Sequence, residues 1–220
     1  MSDWIDVTRL LVDGMTGWPG DPPFRLKPVA DTPLSQTSGT SASEAPDALA
    51  GHLRVSEICT SAHIGTHVDA PLHCLAGGAD VTSIPLDRLC GPAVVAEVNA
   101  SGPSGEIMVE DLQHVPLQPG DRVLLRTRGS SGCGALSVEA AGWLLERCVV
   151  LLGTDRLSPD LPDSDDLPVH RLLLAAGVPI VENLDLDRVS TGRYEMMALP
   201  LRIAGAEAAP ARVLVRKLSP

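Results

Sequence analysis

H-I-G-T-H-V-D-A-P-L-H, residues 63–73, holds three of the six histidines of this 220-residue chain and sets a carboxylate, Asp69, among them. Imidazole nitrogens and carboxylate oxygens are the donors that borderline divalent ions such as Zn2+ and Mn2+ accept. Gly65 lets the backbone pass close to a bound ion. Pro71 cannot continue a helix and drives Ala70 toward extended backbone. In an extended segment, residues of equal parity share a face. His63, His67, Asp69 and His73 are all odd-numbered, so the pattern predicts one strand-like ribbon aiming all of them at one spot. A helix would instead pair His63 with His67 and Asp69 with His73. A lone histidine is more often an ordinary surface or core residue, but a buried cluster of this kind must be ion-paired or metal-bound.

Outward from the cluster, residues 52–61 alternate well enough to be a strand running into it. Residues 75–80 contain the Gly77-Gly78 turn. Strands are expected at 4–11, 93–98, 122–127, 148–152, 178–183, 199–204 and 212–217, and short helices at 83–89, 109–115 and 169–176. Ser137 with Glu139 behind it opens a helix that carries Trp143, which its spacing assigns to the core. Residues 14–24, with G-W-P-G-D-P-P-F, read as a turn-rich loop. Residues 30–50 read as a long Ser/Thr/Ala/Pro excursion, and 129–134 as an exposed Gly/Ser loop. Strands outnumber helices, which suggests one α/β domain over 1–220 with a mixed sheet and helices packed outside.

Bulk properties narrow the function. Aromatic content is 2%, so the core must be aliphatic. The net charge is −11 and the basic residues are scattered, which argues against nucleic acid or an anionic membrane as partner. Five cysteines without a C-x-x-C pair argue against a disulfide framework or a zinc knuckle. With no long apolar run and no leader pattern, the expectation is a cytoplasmic protein with reduced thiols. Cys74 stands beside His73, but no pattern supports a nucleophilic role.

Catalysis by a metal needs ligands from elsewhere. His170, at the start of a short helix, and Glu182, finishing the apolar strand V-P-I-V, are the candidates. A carboxylate at the end of a buried strand is costly unless paired, capping or metal-bound. His170 could equally be an exposed helix start. Asp155 is a candidate to orient a ligand histidine. His52 and His114 read as surface residues. Trp18 either caps the core locally or walls a pocket for a flat ligand.

H-x-G-T-H-x-D-x-P-x-H resembles the signature of the metal-dependent cyclase-like hydrolase family, which contains bacterial kynurenine formamidases and isatin hydrolases. W-P-G-D at 18–21, L-G-T-D at 152–155, V-E-N-L at 181–184 and Y-E-M-M-A-L-P-L-R-I at 194–203 resemble further stretches of it, most closely of the formamidases. The resemblance implies a swivelling β/β/α domain with a barrel-like mixed sheet. It implies metal ligation by His63, His67, Asp69, His170 and Glu182, with Asp69 and Glu182 bridging two ions, Zn2+ or alternatively Mn2+. His73 would transfer protons and Trp18 would line the substrate pocket. The implied partners are a small-molecule substrate and further copies of the chain, as a homodimer or homotetramer. The implied reaction is hydrolysis of N-formylkynurenine by metal-activated water. An isatin-like cyclic amide, a polyketide-like metabolite or a non-catalytic metal-binding role are the alternatives.

Overall fold

Residues 93–98, A-V-V-A-E-V, put apolar side chains at odd and even positions alike. Such a run suits a strand covered on both faces. In the computed structural model Val94 and Ala96 pack into one apolar cluster, while Ala93 and Val95 pack into another. The structure describes residues 3–33, 52–127 and 134–218. The chain divides into two units, Leu11–Ser61 and Met1–Leu10 with Ala62–Pro220.

In chain order the strands are β1 (Trp4–Asp6), β2 (Arg25–Pro33), β3 (His52–Cys59), β4 (His67–Asp69), β5 (Cys90–Glu97), β6 (Arg122–Arg126), β7 (Leu151–Thr154), β8 (Ile180–Glu182), β9 (Gly192–Pro200) and β10 (Ala208–Lys217). The helices are α1 (Leu86–Leu89), α2 (Val109–Leu112), α3 (Val138–Glu146) and α4 (Pro168–Ala175). In the smaller unit β2 and β3 form an antiparallel pair with a register shift between Pro28 and Ala30. The sequence reading missed β2. Pro28 and Pro33 with interleaved charges give no strand pattern, and proline is tolerated only where its missing N–H is not needed.

In the larger unit β10, β4, β8, β7, β6, β5 and β9 pair in that order, and β9 pairs back onto β10, closing a barrel with β1 appended to β10. The β5–β6, β6–β7 and β7–β8 pairs are parallel and the others antiparallel. The expected mixed, barrel-like sheet with helices outside is what the chain forms.

Every barrel strand contributes to one cluster, which includes Val68, Val95, Leu124, Leu151, Val181, Met196 and Val213. This is the barrel interior, filled by side chains as small barrels require. Gly153 belongs to it: a Cβ there would lie 2.4 Å from Leu124 Cδ2 and 2.8 Å from Leu184 Cδ1. The second cluster joins the outer face, through Val94, Val123, Leu125, Leu152 and Ile180, to Leu112, Ala140, Leu144 and Leu173 on the helices.

Some boundaries move. Ser137 Oγ accepts from the Ala140 N–H and starts α3 as read, and Trp143 packs half-buried against the outer cluster with the Arg147 guanidinium 3.7 Å over its ring. The strand expected at 199–204 instead ends at Pro200 and begins at Gly192, with Tyr194, Met196 and Ala198 as its buried face. Beyond Pro33 the 30–50 excursion lies outside the described residues, as does most of the 129–134 loop with Cys133. Among the described residues no helix is long and apolar enough to cross a membrane.

Candidate metal centre

Alternation along two short strands sets the position of the site. Val68 and Val181 point into the barrel, so their neighbours His67, Asp69 and Glu182 face outward, toward the helices. The β4–β8 register then places His67 directly opposite Glu182. Opposed residues in an antiparallel pair have Cβ atoms about 5 Å apart, close enough for one ion to span. Helix α4 brings the buried side chain of His170 to the same place.

The rest of the 63–73 segment is not the uniform ribbon that residue parity suggests. Only His67–Asp69 is strand. Gly65, at φ 56, turns the chain in the left-handed region, so His63 arrives from a turn. Pro71–His73 forms a 3-10 turn, so His73 arrives from a second one. Parity fails because a glycine and a proline break the period on either side of β4.

The side chains nonetheless converge. His63, His67 and Asp69 offer ligand atoms within 4.8 Å of one another, and Asp69, His170 and Glu182 do the same. Asp69 serves both trios: Oδ1 lies 3.1 Å from His63 Nδ1 and 3.5 Å from His67 Nε2, and Oδ2 lies 3.5 Å from His170 Nε2. Glu182 reaches His67 Nε2 at 3.2 Å and His170 Nε2 at 3.1 Å through different oxygens. Despite this crowding, His67 Nε2, both Asp69 oxygens and Glu182 Oε1 are buried without hydrogen-bond geometry to any partner among the described residues. Buried polar atoms left this way are costly unless something else satisfies them. A divalent cation in each trio would do so, and the mixed imidazole–carboxylate donors fit one.

Each imidazole is also held from behind. His67 Nδ1 donates to the Gly65 carbonyl at 2.9 Å, and His170 Nδ1 lies 2.6 Å from Asp160 Oδ2. His63 Nε2 lies 3.5 Å from Glu207 Oε1. The His73 ring stands 4.4 Å from that of His63 and 5.2 Å from that of His170.

The electrostatics separate His73 from His67 and His170. Burial opposes charge on His67, yet Asp69 and Glu182 outweigh it and push its pKa up to about 9. Burial opposes charge on His170 too, and Asp160, Asp69 and Glu182 carry it up to about 12. Burial works to raise Asp69, but His67, His170 and His63 hold it well below the usual carboxylate range. Without cations, protons on His67 and His170 supply positive charge beside the carboxylates. For His73 burial dominates and lowers the pKa; Asp69 pulls the other way, while His63 and His170 reinforce the fall. Its imidazole is therefore neutral at pH 7 and able to accept a proton.

Other candidates fare differently. Asp155 does not orient a histidine: its carboxylate accepts from the Thr127 N–H at 2.9 Å and hydroxyl at 2.7 Å. The buried Asp160 touches His170 instead. The sequence reading missed it because a capping acid ordinarily sits next to the helix start, where this chain has Leu167. Glu207 was missed as well; no local pattern ties it to His63. Cys74 is half-buried, and burial pushes its thiol pKa up, away from nucleophilic use. His114 is exposed and contacts the Glu97 carbonyl. Trp18 lies on a turn of the smaller unit and is 36% exposed.

Residues 5–161 match the protein family described as "Putative cyclase". The kynurenine formamidase of Salinibacter ruber is 36% identical, with 96% of each chain covered. That of Bacillus cytotoxicus is 33% identical, with 99% of each covered. A solved structure described as a potential metal-dependent hydrolase with cyclase activity superposes with a TM-score of 0.75 at 31% identity, over 99% of this chain and 98% of that one.

Proposed function

Because this chain belongs to the cyclase family, we propose that it is a metal-dependent amide hydrolase that splits N-formylkynurenine into kynurenine and formate. The observation that carries this reading is the pair of trios sharing Asp69, buried except for the half-buried His63, with ligand atoms left unsatisfied among the described residues. His63, His67 and Asp69 hold one divalent cation, and Asp69, His170 and Glu182 a second; Zn2+ suits the donors, and Mn2+ is the alternative. A cation bound there supplies Lewis acidity, bringing the pKa of water toward neutrality and drawing charge from a carbonyl oxygen.

The remaining steps belong to the chain. His73, neutral at pH 7, takes a proton from the attacking water and delivers it to the departing anilino nitrogen. The water oxygen bonds to the formyl carbon as the C–N bond breaks. The outer face of β4 and β8 beneath α4 holds the ligand set rigid, so little is spent on reorganisation. Trp18, by the likeness of its W-P-G-D turn, is assigned to the aryl ring of the substrate.

The relatives match over nearly all of the chain, which supports treating 1–220 as one functional domain. A homodimer or homotetramer is proposed. Two strands alone make a marginal sheet, and β2–β3 exposes Leu26, Val29 and Ile58, which supports a further copy packing there. The free thiols of Cys59, Cys74, Cys90 and Cys148 support a cytoplasmic setting.

His73→Ala tests the assignment. It should keep its metal and lose about 10²–10⁴-fold in turnover of N-formylkynurenine, whereas Asp69→Ala should lose metal altogether. Elemental analysis and kinetics on both proteins decide it, with isatin as the competing substrate. Metal retained by Asp69→Ala contradicts the ligand set, and faster turnover of isatin contradicts the substrate.

A further inference from the structure

We propose that Asp160 is a positioning residue: it fixes the tautomer of His170 and thereby decides whether the Asp69–His170–Glu182 trio can hold an ion. The inference rests on the metal-hydrolase reading above and adds a residue that the ligand pattern does not contain. The Asp160 side chain is 1% exposed, and among the described residues its hydrogen-bond partners lie in the first turn of α4. Oδ1 accepts from the Val169 N–H at 2.8 Å, and Oδ2 accepts from the His170 N–H at 3.0 Å and from His170 Nδ1 at 2.6 Å.

A carboxylate is an acceptor only, and an imidazole that holds a cation carries one ring proton. Nδ1 must therefore be the protonated nitrogen. The lone pair is left on Nε2, which faces Asp69 Oδ2 at 3.5 Å and Glu182 Oε1 at 3.1 Å. The same carboxylate grips the two backbone N–H groups beside the ring, so ring orientation and helix start are set together. Leu167, at φ 44, and Pro168 lead the chain into the helix. The outer partner of His67 is a neutral carbonyl two residues away, and that of His63, Glu207, is 42% exposed and 3.5 Å distant. Asp160 is thus a buried, charged anchor for His170. Hydrogen-bonded outer partners of this kind typically govern metal affinity by 10–100-fold.

Asp160→Asn changes little but the chemistry. The amide oxygen can keep one backbone N–H, while the amide nitrogen offers a proton to His170 Nδ1. The imidazole then carries its own proton on Nε2 and points an N–H at the ion's position. Zinc affinity, measured by chelator competition, should fall about 10–100-fold. Long-range 1H–15N spectra of the metal-free protein should show the His170 Nδ1 proton of the wild type lost in Asp160→Asn, leaving a ring proton on Nε2 alone. A role limited to capping α4 would lower the thermal midpoint of the chelated protein and leave both readouts unchanged in the folded fraction; that result overturns the proposal. Should Asp160→Asn fail to fold, the zinc-loaded wild type still tests it: zinc on Nε2 with a proton on Nδ1 is expected, and zinc on Nδ1 refutes it. A wild type that binds no zinc defeats the metal reading itself, whereas equal zinc binding and an unchanged tautomer in Asp160→Asn defeat only this inference.

Discussion

Stripping divalent ions should make the stability of this protein fall as pH rises. The groups responsible are His67 and His170, whose folded pKa values are raised above the unfolded value of about 6.5. Groups of this kind stabilise the fold fully below the unfolded pKa and lose that contribution as pH climbs through the folded one. For His67 the window runs from about pH 6.5 to about 9, and at about 1.4 kcal/mol per pH unit it amounts to about 3 kcal/mol. His67 is 1% exposed, so solvent screening takes little from this figure. His170 acts in the same direction over the same interval and continues beyond it. For a chain of this length about 3 kcal/mol corresponds to roughly 6–12 °C in thermal midpoint, so the chelated protein should lose at least that much across the window. The zinc-loaded protein should not, because coordination requires the neutral imidazole and higher pH favours it. Calorimetric melts of both forms at matched ionic strength provide the assay. Equal midpoints for the chelated protein at both ends of the window would refute the idea that imidazolium–carboxylate pairing holds the metal-free site together.

Two further outcomes follow from backbone and packing. Gly65→Ala places a side chain in the left-handed region at φ 56; it should cost about 1–2 kcal/mol in denaturant unfolding and reduce zinc stoichiometry, since that turn delivers His63. Gly153→Ala pushes a methyl against Leu124 and Leu184 inside the barrel; it should cost about 1–3 kcal/mol, read by urea unfolding, with zinc still bound by the protein that folds.

Local periodicity carried the reading of the sheet. The run at 93–98 and the strands at 122–127 and 178–183 are visible because burial on both faces leaves a short continuous apolar run. β2 was hidden by its prolines and charges, and β9 was placed too late because Leu199, Leu201 and Ile203 look apolar yet stand exposed at its end. At the site, residue chemistry singles out His63, His67, Asp69, His73, His170 and Glu182, the family resemblance narrows the ligands to five, and burial explains Glu182 as a strand-end acid facing His67 and His170. Asp160 and Glu207 were beyond reach: each meets its histidine across a loop and has no fixed offset from it.

Composition and motif chemistry determine a great deal here without any coordinates. Clustered imidazoles with one carboxylate point to a cation, and an acid-rich chain with scattered basic residues argues against polyanionic partners, because donor type and net charge are properties of residues and not of their arrangement. Arrangement decided the rest. That Asp69 serves two trios, that Glu182 lies opposite His67, and that a distant acid sets the proton on His170 depend on strand register, barrel closure and the approach of α4. These are products of long-range packing, in which residues far apart in the chain become neighbours only when the whole barrel closes.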